Sequence, residues 1–120
     1  MMQKRSIVNS FKFAIEGLIW AFKNQRNLRI HILVGTGVIF LGVLLKISFI
    51  KMAILFLTII FVIVCEIINT ALELSLDFIN GKKYHPSVKV VKDIVAGAVL
   101  FAAFNAVVVG IIIFYPYLFN

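Results

Sequence analysis

Residues 52–79 read MAILFLTIIFVIVCEIINTALELSLDFI. From Met52 to Cys65 the run is continuously apolar, and from Glu66 it turns amphipathic as far as Ile79. At 1.5 Å per residue such a helix is roughly 40 Å long, which exceeds the ~30 Å hydrocarbon core of a bilayer. The apolar half belongs in lipid, and the acidic half is expected to reach the membrane boundary.

The rest of the chain has the same solvent. Of its 120 residues 62% are hydrophobic, and the mean hydropathy of +1.09 is far above that of a soluble domain. The length allows one membrane-embedded domain, residues 1–120. Twelve Lys and Arg oppose five acids, a net charge of +7, and these charges flank the apolar runs. Retention of positive charge on the cytoplasmic side and contact with anionic headgroups account for them, so no nucleic acid is called for as partner. The single cysteine, Cys65, lies inside an apolar run and reads as a small packing residue. The polar first six residues are not followed by an apolar run with a small-residue cleavage site, so no signal peptide is expected.

Outward from the central run, the spacing predicts a surface helix over about 5–23 and spans over about 28–46, 51–80 and 87–117. In the first, Ile7, Phe11, Ala14, Ile15, Leu18, Ile19 and Phe22 share one face, with Arg5, Lys12, Glu16 and Lys23 opposite. That pattern suits a helix lying in the interface. Asn80 and Gly81 stop the central helix, and Lys82, Lys83, Tyr84, His85 and Pro86 form a polar connection. Ala98, Ala102, Ala106 and Gly110 make a small-residue stripe expected to let helices approach closely. Cations gather in the N-terminal segment and the second connection, which puts both, and the N-terminus, on the cytoplasmic side of a cell membrane. The fold class is therefore an all-α integral membrane protein, an N-terminal amphipathic surface helix plus three transmembrane helices.

Three of the five acids, Glu66, Glu73 and Asp77, fall on the central helix together with Asn69 and Thr70. At 100° per residue these five sit at about 0°, −20°, +20°, −60° and +40°, one narrow face. Ionisable groups in a membrane helix cost several kcal/mol each unless they meet a cavity, a partner or an ion. Lys89, Lys92 and Asp93, just after the connection, are the nearest supply of charge. Carboxylates and an Asn beside a Lys suit phosphoryl transfer: oxygens hold Mg²⁺ on phosphates, Lys neutralises phosphate charge, and a carboxylate accepts a hydroxyl proton. A buried salt-bridge network, or the ion path of a small oligomeric channel or transporter subunit, would use the same residues without a nucleotide.

The run Glu66-Ile67-Ile68-Asn69-Thr70-Ala71-Leu72-Glu73, followed by Asp77, Tyr84-His85-Pro86 and Lys92-Asp93, resembles the prokaryotic diacylglycerol and undecaprenol kinase family. The resemblance extends from Phe11–Gly17 through Asn27-Leu28-Arg29-Ile30-His31 to Asp93–Val99. It implies a bacterial lipid kinase using ATP and Mg²⁺ on a membrane lipid alcohol, assembled as a homotrimer with composite sites between subunits. By position, Glu66 resembles the catalytic base, Asn69 a residue orienting the catalytic groups, and Glu73 a Mg²⁺ ligand. Lys92 matches the phosphate contact. Asp77, Asp93 and the turn Lys83-Tyr84-His85 match positions near the nucleotide, Phe13 an aromatic that covers the base, and Arg29 a position on the lipid side with Glu66.

One position departs from the pattern. Before Arg26-Asn27 the family usually places a Glu that is the second metal ligand and a nucleotide neighbour; here it is Gln25, whose neutral amide binds Mg²⁺ more weakly. An engineered trap for a nucleotide complex, a natural variant of weaker metal affinity and lost activity all remain compatible with it. The Asn-Thr-Ala-Leu-Glu and His-Pro wording resembles the undecaprenol kinases more than the diacylglycerol enzymes. His31 and His85 have no Cys or His at ligand spacing, so they are read as structural or headgroup residues. Gly35-Thr36-Gly37 has no Lys and no preceding strand, so it is no phosphate loop.

Overall fold

The computed structural model describes residues 6–119. Four helices follow one another: α1 (Ile7–Asn24), α2 (Arg26–Leu44), α3 (Phe49–Asn80) and α4 (Pro86–Leu118). Arg5, the expected start of the surface helix, lies outside the described residues, as does Lys4.

Helix α1 begins where the Ser6 hydroxyl accepts the Asn9 amide at 3.1 Å, capping an otherwise unpaired donor. Its apolar stripe of Phe11, Ile15, Leu18 and Phe22 is exposed, and among its residues only Ala21 is buried. That leaves the stripe available to an interface. Gln25 alone, in extended conformation (φ −115°, ψ 107°), separates α1 from α2. So short a break starts α2 at Arg26, two residues before the expected 28.

Helices α2, α3 and α4 are each long and apolar enough to cross a membrane. The turn between α2 and α3 passes through Lys46 in the left-handed region (φ 55°), and the Ser48 hydroxyl then accepts the Lys51 amide at 3.2 Å. The cap at Ser48 starts α3 at Phe49. At its far end Gly81 takes φ 62°, a conformation that needs no Cβ, and stops the helix. The Asn80 side-chain amide donates to the Lys83 carbonyl within this turn. His85 Nδ1 accepts the Ser87 amide at 3.1 Å, so Pro86 occupies the first position of α4, where its missing N–H costs nothing.

Helix α3 is the centre of the packing: α4 lies along it, and α2 packs on it antiparallel. Ile47, Leu55, Ile113 and Phe114 form a core at the end where the α2–α3 turn meets the last turns of α4. Nearby, Lys51 Nζ lies 4.9 Å from the Tyr117 ring centroid and 3.4 Å from its hydroxyl. The buried residues of α2, Leu28, Gly35 and Gly42, recur every seven residues and mark the face turned to α3.

Close approach occurs there and not along the whole alanine stripe of α4. A Cβ at Gly35 would stand 2.6 Å from Ile59 Cγ2, and one at Gly42 would stand 3.0 Å from Ile47 and Met52. On α4, Ala102 is buried at 3% exposure, but Ala98 is exposed and a Cβ at Gly110 would meet nothing within 4 Å. The expectation of a continuous packing stripe is corrected accordingly: within the chain the stripe packs closely only at Ala102, and Ala98 and Gly110 do not face a close neighbour.

Candidate active site

The acidic face of α3 lies at the end of the bundle opposite the Ile47–Phe114 core, where α1 meets α2 and where the α3–α4 turn carries its lysines. Antiparallel packing brings the cationic start of α2 and the start of α4 to that same end.

Along this face burial falls with distance from the apolar run. Glu66, Asn69 and Thr70 are 3%, 7% and 5% exposed, while Glu73 and Asp77 are half-buried. Helix α3 is about 48 Å long at 1.5 Å per residue, longer than a ~30 Å hydrocarbon core. Asp77 Oδ1 accepts from Lys92 Nζ at 2.5 Å, which ties α3 to α4 across the turn. Asp93, one residue on, is instead held by Lys89 at 2.6 Å on the exposed side of α4.

The buried part has unused hydrogen-bonding capacity. Asn69 Oδ1 and Thr70 Oγ are buried without a partner. Elsewhere in the spans Thr36 and Thr58 bond the carbonyls of Ile32 and Ile54, and Ser75 bonds that of Ala71. The usual route of satisfaction, back to the helix, is thus taken at three hydroxyls and not at Thr70. An orphaned buried polar group costs about 1–3 kcal/mol, so these two oxygens are capacity that the chain by itself leaves unused.

The remaining sequence-selected residues lie on α1, at the α1–α2 break, on α2 and in the α3–α4 turn. Lys83 and Tyr84 are exposed in the α3–α4 turn, and the His85 ring serves as the cap of α4. Phe13 is partly exposed on α1, and Gln25 is half-buried at the α1–α2 break. Arg29 Nη1 donates to the carbonyls of Phe22 and Lys23, 2.9 Å each. Its guanidinium closes the C-terminal end of α1 and sets how α1 leaves α2, a role that the sequence did not suggest.

His31 is the residue missed most plainly. It is half-buried on the inward face of α2 and close enough to Glu66 for the two to interact electrostatically. The signal was present: His31 is three residues after Leu28 and four before Gly35, on the same helical face as both.

Among the described residues no three His, Cys, Asp or Glu side chains gather closely enough to hold a metal on their own. That suits an ion such as Mg²⁺, which takes one or two protein oxygens and completes its shell with phosphates and water. Glu73 is a half-buried carboxylate one helical turn beyond the unpaired Asn69 oxygen, and Gln25 offers a neutral amide oxygen at the α1–α2 break.

Residues 12–114 match the family model of prokaryotic diacylglycerol kinase. The chain is 45% identical over 105 residues to a diacylglycerol kinase of Synechocystis sp., covering 88% of this chain and 60% of that protein. It is 36% identical over 107 residues to an undecaprenol kinase of Bacillus subtilis, covering 89% of this chain and 86% of that one. The chain thus spans about three fifths of the length of its Synechocystis relative.

Proposed function

Because this chain belongs to the prokaryotic diacylglycerol kinase family, we propose that it transfers the γ-phosphoryl group of ATP to the hydroxyl of a membrane lipid alcohol at the cytoplasmic end of α3. The observation that carries this reading is the pair of unpartnered buried oxygens, Asn69 Oδ1 and Thr70 Oγ, beside the buried Glu66 carboxylate. A structural salt-bridge network or a folded-in cap would have satisfied them.

Glu66 is the base. It is buried where the apolar run of α3 gives way to the acidic face, and among the described residues no Lys or Arg forms an ion pair with it. Asn69, one turn further, orients the carboxylate and the incoming hydroxyl. Glu73 and Gln25 are the oxygen ligands for Mg²⁺. The ion, when bound, neutralises charge on the transferring phosphate. Lys92, positioned by Asp77, faces the phosphates from α4. Asp93 and the Lys83-Tyr84-His85 turn lie on the nucleotide side, with Phe13 of α1 available to the base, and Arg29 holds α1 over the lipid entrance. The protein works in a bacterial cell membrane with its N-terminus in the cytoplasm, as the cations at that end favour. Assembly as a homotrimer completes each site from two subunits.

Undecaprenol is the acceptor favoured by the Asn-Thr-Ala-Leu-Glu and His-Pro wording. Diacylglycerol is the second reading, and the 45% identity to a protein of that name supports it. The purified protein in lipid, given labelled ATP with undecaprenol, with diacylglycerol, and with both in competition, tests both levels. Faster labelling of one identifies the acceptor. No transfer to any alcohol, by this chain or by Gln25→Glu, would return the acidic face to the channel reading.

A further inference from the structure

The end of the bundle opposite the acidic face has a different chemistry. Among the described residues it holds two cations, Lys46 and Lys51, and no Asp or Glu: Glu16 is on α1, Glu66, Glu73 and Asp77 are in the second half of α3, and Asp93 is near the start of α4. Both lysines flank the core of that end, Lys46 just before Ile47 and Lys51 one helical turn beyond it, and Tyr117 follows the core residue Phe114 by one turn. Lys51 is half-buried, and its ammonium is oriented by Tyr117, 3.4 Å from the hydroxyl and 4.9 Å from the ring centroid. Lys46 is exposed and sits at φ 55°, in the left-handed region where a glycine would be less strained. Between the two lysines Phe49 and Ile50 are 89% and 71% exposed. Helix α2 carries the chain roughly 26 Å from Arg29 to Lys46 at 1.5 Å per residue, close to the ~30 Å of a hydrocarbon core, which sets the two cations at opposite faces of a bilayer.

We propose that Lys46, Lys51 and Tyr117 bind the phosphate of an anionic phospholipid in the leaflet opposite the acidic face, with Phe49 and Ile50 against its acyl chains. The inference rests on the three helices crossing a bilayer and is independent of the kinase reading. The donors suit a phosphodiester, whose oxygens only accept. Lys51 uses one of its three N–H groups on the Tyr117 hydroxyl, which still has its own proton to give, and Lys46 brings three more. Charge decides between headgroups. A phosphatidylcholine or phosphatidylethanolamine headgroup carries a cation of its own, and no Asp or Glu at this end receives it, while the Tyr117 ring already faces Lys51. A headgroup of net negative charge meets two ammonium groups that no acidic side chain neutralises. Depth agrees with this assignment: a tyrosine and two long lysine stems rising from apolar neighbours belong at the level where headgroups begin. Bound there, one phosphate ties the α2–α3 turn to the last turns of α4.

The test places the full chain in phosphatidylcholine vesicles containing a minor fraction of phosphatidylglycerol with a photoreactive diazirine on its headgroup, adducts being mapped by mass spectrometry. Adducts are expected within residues 44–51 and 115–119, suppressed by unlabelled phosphatidylglycerol and not by added phosphatidylcholine. Lys46→Gly and Lys51→Met should each lower that yield about fivefold, as expected for one cation near an anionic headgroup, with adducts at the Lys82–Lys89 turn unchanged as an internal control. Lys46→Gly guards against a trivial loss, because glycine relieves the left-handed turn and its unfolding temperature should equal or exceed that of the parent. Four results overturn the proposal: parent adducts confined to the acidic end, equal suppression by phosphatidylcholine, full labelling retained in Lys46→Gly, or displacement by water-soluble glycerol phosphate, which would make free phosphate the ligand.

Discussion

Lys92 of α4 reaches across the α3–α4 turn to Asp77 of α3, Nζ to Oδ1 at 2.5 Å, with the two side chains 34% and 28% exposed. A pair so open to solvent contributes at most about 1 kcal/mol to stability. Its consequence is placement: Lys92 is drawn to the end of the acidic face, one helical turn beyond Glu73, instead of pointing away with Lys89. The ion pair thereby assembles a cation and a proposed metal ligand from two helices.

From this follows a separation of effects. Lys92→Met is expected to lower kcat/KM for ATP by roughly a hundredfold, about 2.7 kcal/mol of transition-state stabilisation, while Asp77→Asn, which only frees the lysine, costs several-fold. Both variants should unfold within about 1 kcal/mol of the parent. Equal losses in activity from the two would mean that the pair, and not the lysine, is what the reaction needs.

Glu66→Gln keeps the shape of the side chain and removes its ability to take a proton. Transfer should fall by roughly 10²–10⁴-fold, the usual worth of a general base, with no loss of thermal stability, because a buried uncharged amide is easier to accommodate than a buried carboxylate. Thermal unfolding and initial rates measured on one preparation decide it. Stability falling in step with activity would make Glu66 a structural residue.

Gln25→Glu adds a carboxylate at the α1–α2 break. Mg²⁺ titrations of the initial rate should show half-saturation at lower metal for Gln25→Glu, with the two proteins converging at high Mg²⁺ if only affinity differs. Superimposable titrations would remove Gln25 from the metal site.

Two glycines of α2, two residues apart, separate packing from propensity. At Gly35 a Cβ would come within 2.6 Å of Ile59 Cγ2, whereas at Gly37 nothing lies within 4 Å. Gly35→Ala should destabilise by about 1–3 kcal/mol, and Ile59→Ala should be less costly in its presence than alone, because the clash is with that branch. Gly37→Ala should be neutral or stabilising by up to about 1 kcal/mol. Denaturant-induced unfolding in micelles, read by helix content, would show the order reversed if α2 and α3 do not meet at Gly35.

Much of this molecule was legible in one dimension. Continuous apolar runs have no alternative to a helix in lipid, because every backbone amide must be paired within its own segment. Hence α2, α3 and α4 could be read from hydropathy, and the end of α3 from Asn80 and Gly81, whereas the Ser48 cap that starts α3 at Phe49 was not. The shared face of Glu66, Asn69, Thr70, Glu73 and Asp77 also follows from helical periodicity alone, since 100° per residue needs no tertiary information.

What needed the third dimension was every relationship between helices. Which of Lys89 and Lys92 would meet Asp77 depends on how α4 is rotated about its axis, a property of packing against α3. The same is true of Arg29 closing the end of α1, and of the alanine stripe, of which Ala102 is buried and Ala98 exposed. His31 is the clearest instance: its face on α2 can be read from the heptad of Leu28, Gly35 and Gly42, but its partner cannot. Periodicity assigns each side chain to a side of its own helix. Only the close approach of α2 to α3 at Gly35, where a missing Cβ admits Ile59, sets which side chains of the two helices stand at the same depth.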